Sequence, residues 1–272
     1  MQKILVFTDM HIREAGQTIR DIETLDRFAG GLEHALRRHP DAERIVLMGD
    51  LANSGKIAEY ERLKPLLDAC PIPVSLMPGN HDNRDNLLAV LPDTPTSGGF
   101  LQTVADAGDT RLIMLDTLDG PPYRNDHHSG VLCDDRMAWL RAALDDARDR
   151  RVLVFMHHPP VAVGLDGMDA IRLTNDRAFL DLVKSYPNVA HIFTGHLHRT
   201  VSGNVEGLGF TVFKSTAQQT PLVLEGQGAS MSTTGPGAYG LILLTPQSVV
   251  IHTEDFQMAG EDVPPYRDAL PE

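Results

Sequence analysis

Five short apolar runs in this chain end in the same way, each on side chains able to hold a cation. Ile45-Val46-Leu47-Met48 stops at Gly49-Asp50, and Val6-Phe7-Thr8 stops at Asp9 with His11 close behind. Leu76-Met77-Pro78-Gly79 leads into Asn80, His81 and Asp82. Val154-Phe155-Met156 leads into His157 and His158, and Ile192-Phe193-Thr194-Gly195 into His196 and His198. Runs of β-branched and aliphatic residues read as strands buried on both faces, the habit of sheets covered by helices. A carboxylate or imidazole after one such strand is an ordinary turn residue. Five at the carboxyl ends of strands point further, because open α/β sheets hold their ligands there.

Helical spacing separates the runs. From Thr18 to Arg38, Ile19, Ile22, Leu25, Phe28, Leu32 and Leu36 share one stripe, which the Gly30-Gly31 pair weakens without ending. Lys56 to Asp68 reads as a second helix kinked at Pro65, and Asn83 to Leu91 as a short third. Phe100–Val104 and Arg111–Leu115 read as neighbouring strands joined by a Gly108-Asp109 turn. Asp134 to Arg148 is a helix carrying Trp139, Leu140 and Leu144 inward, and Asn175 to Ser185 is another. Long loops run from Thr117 to Ser129 and from Pro159 to Thr174.

Beyond His198 the helical signal vanishes. Residues 199–237 are rich in Gly, Ser and Thr with strand-like runs at Phe210–Lys214 and Leu222–Leu224, the texture of an inserted cap or hairpin region. Leu241–Leu244 and Val249–His252 read as a hairpin returning to the main sheet, followed by a loose tail bearing Pro264 and Pro265. The expected division is a core over 1–198, a cap insertion over 199–238, and closing core strands with a tail over 239–272.

With 272 residues the chain can bury a substantial core. Its formal charge, 24 minus 37 or −13, repels the phosphate backbone of long nucleic acids, so none is expected as a partner. A small anion remains compatible where bound cations supply positive charge. No twenty-residue apolar span occurs, and Met1-Gln2-Lys3 runs straight into a strand; the expectation is a cytoplasmic protein with no membrane partner. Cys70 and Cys133 sit beside apolar residues, read as buried inert thiols, and cannot build a cysteine-type zinc site.

The ligand inventory is Asp9, His11, Asp50, Asn80, His157, His196 and His198. Seven donors exceed one tetrahedral ion and suit two ions sharing a bridge. Asp50 is the natural bridge, since a carboxylate has two oxygens and a neutral imidazole one lone pair. Carboxylate and amide oxygens with four imidazoles favour two divalent ions of the borderline type, Mn, Fe, Zn or Co. The other histidines, His34, His39, His127, His128, His158, His191 and His252, read as surface or structural residues; His127 and His158 lie nearest to candidate substrate loops.

The order Asp-x-His, Gly-Asp, Gly-Asn-His-Asp, His-x-Pro, Gly-His-x-His resembles the calcineurin-like metallophosphoesterase family, over roughly Ile4 to His198 and the closing strands. Within it, His157-His158-Pro159-Pro160, Gly130-Val131-Leu132 and Trp139-Leu140 are similar to bacterial class III cyclic-nucleotide phosphodiesterases and glycerophosphodiesterases. The resemblance implies a four-layer α/β/β/α sandwich with metals at strand ends. It implies Asp9, His11, Asp50 and His198 on one ion and Asp50, Asn80, His157 and His196 on the other. His81 would protonate the leaving group or hold the substrate phosphate, with Asp82 orienting it, and Asn80, His158 and Gln218 would join it around the substrate. Gln218 stands where some glycerophosphodiesterase-type relatives place a histidine. The implied activity is hydrolysis of small phosphodiesters by a metal-bridging hydroxide. The alternatives are a phosphomonoesterase or protein phosphatase on the same metals, or a non-catalytic metal-stabilised scaffold. The resemblance also implies a homodimer or larger homo-oligomer paired through the cap.

Overall fold

Alternation along the first strand shows how the layers of this protein arise. In the computed structural model, which describes residues 1–123, 128–224 and 231–257, strand β1 spans Gln2–Phe7. Ile4 and Val6 point into a cluster with Val46, Met48, Phe155 and Phe193, while Leu5 and Phe7 point oppositely onto Phe28 and Leu32. Successive side chains of a strand face opposite sides of the sheet, so an all-apolar strand needs cover on both.

That cover comes from two sheets and two helical layers. β2 (Arg44–Met48), β3 (Val74–Met77), β10 (Tyr239–Leu244) and β11 (Val249–Glu254) join β1 in the order β11-β10-β1-β2-β3. The second sheet holds β4 (Thr103–Ala107), β5 (Thr110–Leu115), β6 (Val152–Met156), β7 (Val189–Thr194), β8 (Val201–Val205) and β9 (Leu208–Val212), ordered β4-β5-β6-β7-β9-β8. β1, β2 and β3 run parallel, as do β5, β6, β7 and β9. Helices α1 (Thr24–Arg38), α2 (Ile57–Asp68) and α3 (Arg84–Val90) bury Phe28, Tyr60, Leu63 and Leu87 on the outer face of the first sheet. Helices α4 (Asp134–Asp146) and α6 (Asp176–Lys184) bury Leu140, Leu144, Phe179 and Val183 on that of the second. The four-layer α/β/β/α order is the expected one.

Several boundaries move, each for a local reason. The first helix begins at Thr24 rather than Thr18, because Ile19 and Ile22 pair across a turn in which Arg20 and Asp21 have φ of +48° and +64°. Glu23 then caps the helix, accepting from Asp26 N. Gly31 is required by packing: a Cβ there would lie 2.7 Å from the Phe256 ring. Phe100 to Gln102 leave the expected strand, which starts at Thr103. Leu101 N donates instead to buried Asp116, and Phe100 lies between the Arg84 and Arg136 guanidiniums that flank that carboxylate. The loop 159–174 contains a short helix, α5 (Asp166–Asp169).

Of the cap and the hairpin that residues 199–237 allow, the first part is a hairpin. β8 and β9 form a hairpin, and β9 pairs in parallel with β7, so residues 201–212 extend the core sheet. Phe210 and Val212 are buried beneath the second helical layer, which is why a strand forms in this Gly- and Thr-rich stretch. The Gly108-Asp109 turn and the closing hairpin are as expected, with β10 returning beside β1. His127, Pro264 and Pro265 lie outside the described residues. Among the described residues, no helix is long and apolar enough to cross a membrane.

His191 on β7 tests the burial of this edge. Its Nε2 lies 2.9 Å from Thr211 Oγ1, and burial pushes the imidazole down to about 4. A depressed imidazole supports the fold above its ordinary value of 6.5 and loses that support as pH falls through about 4. Urea unfolding at pH 7, 5.5 and 4.5 is expected to show wild type losing up to about 3 kcal/mol relative to His191→Gln; a constant difference between the two would refute the burial account.

Candidate metal centre

The carboxyl ends of β1, β2, β3, β6 and β7 deliver their side chains to one pocket of about 400 Å3. Main-chain bonds stitch four of the five loops in pairs, that after β1 to that after β2 by Asp9 N to Gly49 O (3.1 Å) and His11 N to Asp50 O (2.9 Å), and that after β7 to that after β6 by Gly195 N to His157 O (3.0 Å). Asp9, His11, Asp50, His196 and His198 have φ of +54°, +46°, +50°, +69° and +48°. Left-handed backbone costs a residue with a Cβ on the order of 1–3 kcal/mol and persists where surrounding structure imposes it. Here it turns each side chain back over the end of its own strand.

Two donor sets meet at Asp50. Its Oδ2 lies 3.5 Å from His11 Nε2 and 3.3 Å from His157 Nε2. On the first side, His11 Nε2 is 3.0 Å from His198 Nε2, which is 3.2 Å from Asp9 Oδ1. Donors bound to one ion at about 2.0–2.2 Å sit roughly 3–3.5 Å from one another, so these spacings fit. On the second side, His157 Nε2, His196 Nε2 and Asn80 Oδ1 are buried and make no hydrogen bond. Each such group is a cost of about 1–3 kcal/mol that only a partner removes. Three orphans around one pocket, with a carboxylate between them and a second donor set, fit a pair of divalent ions.

Second partners set the ring orientations. His157 Nδ1–H donates to Met48 O (3.0 Å) and His198 Nδ1–H to Gln218 O (2.8 Å), leaving each Nε2 to face inward. Thr8 Oγ1 donates to Asp9 Oδ2 (2.7 Å), and His196 N donates to the same carboxylate (3.0 Å). His81 N donates to Asp50 Oδ1 (2.9 Å), which leaves Oδ2 for the centre.

Electrostatics agree with this division. Burial alone would raise both carboxyls, but His198 beside Asp9 and His157 beside Asp50 hold them below the ordinary range. Burial would likewise lower His157, yet the facing Asp50 carries it up to about 9, so an ion there takes the place of a proton. His11, down to about 3, and His196 are kept neutral by burial, the form a ligand imidazole needs.

Not every expected residue keeps its expected part. Asp82 does not orient His81. Its carboxylate accepts from Leu51 N, Ala52 N, Gly79 N and Tyr60 OH at 2.8–3.0 Å, clasping the loop after β2 to the loop after β3. Burial and the nearby Asp50 push it up to about 6. His81 is oriented by Asn53, whose carbonyl accepts from Nδ1–H (2.8 Å). His158 falls within 4.8 Å of His157 and His196, but it is buried, with Nδ1 bonded to Thr117 Oγ1 and Nε2 to His128 O. It is a strut behind the pocket, not a substrate contact. Gln218 does line the pocket, beside His81 and Asn80. Sequence reasoning missed His128, whose ring stacks on His81 and touches Asn80. It also missed the carbonyls of Met48, Asn53 and Gln218, which no side-chain motif can signal.

The model of the calcineurin-like phosphoesterase family matches residues 2–200. The chain belongs to this family. A probable cyclic nucleotide phosphodiesterase of Rhodopseudomonas palustris is 34% identical over 260 residues, covering 95% of this chain and 94% of that one. A glycerophosphodiester phosphodiesterase of Enterobacter lignolyticus is 37% identical over 224 residues, covering 79% and 77%. Among solved structures, a dimetal phosphatase of Danio rerio shares the fold with a TM-score of 0.72 at 16% identity, over 94% of this chain and 96% of that one.

Gly79 measures how tightly the two loops close. A Cβ there would lie 2.2 Å from Asp50 Oδ1 and 2.7 Å from His157 Nε2. Gly79→Ala is expected to weaken metal binding about 10- to 100-fold, the cost typical of disturbed ligand geometry. Calorimetric titration of the stripped protein checks this, and unaltered affinity would contradict the close approach.

Proposed function

We propose that this protein is a binuclear-metal phosphodiesterase acting on small phosphodiesters. The observation that carries the reading is Asp50 Oδ2, set between the His11 and His157 nitrogens at 3.5 and 3.3 Å. Asp9, His11 and His198 would hold one ion with Asp50, and Asn80, His157 and His196 the other. Nitrogen and oxygen donors without a thiolate suit Mn, Fe, Zn or Co. When bound, the two ions neutralise phosphoryl charge and supply a water acidic enough to attack phosphorus in line.

The chain's own groups do the rest. His81 donates Nδ1–H to Asn53 O, so Nε2 faces the pocket; carrying the second proton of an imidazolium, it would hold a phosphoryl oxygen and pass that proton to the departing alkoxide. Asn80 and Gln218 stand on the pocket wall with it, and Met168, Ile171 and Met231 form an apolar side opposite the polar one. Two relatives named for cyclic nucleotides and glycerophosphodiesters support this substrate class, and the apolar lining residues favour a diester carrying a base. Unpaired thiols at Cys70 and Cys133 fit a cytoplasmic location. Exposed Leu222 and Leu224, within the cap expected over 199–238, fit a homodimer or larger homo-oligomer paired through the cap.

Two measurements test this. Metal-loaded protein is expected to hydrolyse bis(p-nitrophenyl) phosphate with higher kcat/KM than the monoester. Asp50→Ala is expected to lower the rate at least 1000-fold, about 4 kcal/mol. A preference for the monoester would favour a phosphomonoesterase, and no metal-dependent turnover would leave a scaffold. In sedimentation, Leu222→Asp with Leu224→Asp is expected to shift an oligomer to monomer; an unchanged mass would remove the cap from the interface.

A further inference from the structure

Any account of the second ion that uses Asn80 needs its oxygen, not its nitrogen, turned toward the centre. The two ends of a primary amide are nearly alike in size, so a neighbour must decide which faces in. Asn80 Nδ2 lies 3.0 Å from His128 Nδ1, while Asn80 Oδ1 is buried with no hydrogen bond. A lone pair on His128 Nδ1 accepts the amide N–H and leaves the oxygen for the pocket. Were the amide reversed, its oxygen would face His128 Nδ1 and the ring would have to carry its proton there, so the selection works through the Nε2–H tautomer.

His128 is itself fixed on two sides. Its ring lies over His81, with centroids 5.5 Å apart and planes 24° from parallel. Its carbonyl accepts from His158 Nε2–H (3.1 Å), and His158 Nδ1 accepts from Thr117 Oγ1 (2.8 Å). His158 is buried, and Gly130 packs so close to its ring that a Cβ would lie 2.5 Å from Cγ. The strut begins on the strand β6 side of the pocket and ends on the loop after β3.

We infer that His128 is a positioning residue that selects the metal-binding face of Asn80 and holds His81 in plane, through a buried relay from Thr117 and His158. The inference rests on the binuclear reading above. It assigns a task to a histidine that sequence reasoning places on the surface and to one, His158, that it places against the substrate.

The test is a double-mutant cycle read by metal titration, with turnover as a second readout. Stripped protein is titrated with Mn or Zn by calorimetry, for wild type, His128→Ala, Asn80→Asp and the pair. Wild type takes up two ions, and His128→Ala weakens one of them about 10- to 100-fold while sparing the other. In the Asn80→Asp background, where both ends of the side chain are oxygens, His128→Ala changes affinity less than threefold. His128→Asn places an oxygen near the position of Nδ1 and restores affinity; His128→Phe keeps a ring over His81 without an acceptor and does not. Fewer than two ions on wild type would sink the binuclear reading itself. Two ions on wild type with no selective loss in His128→Ala and His128→Phe, or equal losses in both Asn80 backgrounds, would overturn the part given to His128 and leave the binuclear reading standing.

Discussion

The structure depends on holding like and unlike charges together in a space without water. Asp9 and Asp50 are buried beside four imidazoles, and each carboxylate on its own carries a desolvation cost of several kcal/mol. What makes the pocket tenable is that Asp50, His157 and His198 each have one atom tied to the scaffold and another aimed at the centre. Asp50 gives Oδ1 to the His81 amide and keeps Oδ2; His157 and His198 give Nδ1 to carbonyls and keep Nε2. A cation pair at the remaining atoms would supply the countercharge.

Such an arrangement needs a frame that does not yield. Strands β1, β2, β6 and β7 are covered on both faces, so their ends cannot shift without opening two cores at once. The loops that leave them are bonded to one another before any side chain is considered, and Asp82 adds a clasp between two of them. Left-handed backbone at five of the seven candidate ligands is the price of turning side chains back over the strands. Rigid strands and strained ends belong together, since only the first can sustain the second.

The pocket's outer wall is built differently. Arg27 on α1 donates to the carbonyls of Ala217 and Gly235, and Arg20 to Ser232, so guanidiniums add to the main-chain bonds, Thr216 N to Thr8 O and Thr220 N to His198 O, that hold this segment beside the pocket. The Asp116 cluster plays a similar part on the opposite side, fixing residues 116–118 where the loop toward His128 begins. Met168, Ile171, Gln218 and Met231 line the same pocket as His11, Asp50, Asn80, His196 and His198.

Sequence by itself determined the layers and the ligand types. Apolar strands, amphipathic helices and metal-type residues after each strand are local patterns, and local patterns survive into the fold because burial enforces them. Gly, Ser and Thr in residues 199–209 hid β8 and the start of β9, and only the pairing of β9 with β7 places the strand-like run at Phe210 in the core sheet. Only tertiary structure could decide the second partners: that Asp82 serves the backbone and not His81, that Asn53 O does serve it, and that His158 turns away from the pocket. Adjacency in sequence suggests a partner for a side chain, but hydrogen bonds are made to whatever the packed chain brings within 3 Å. His128, 48 residues from Asn80, is the clearest instance.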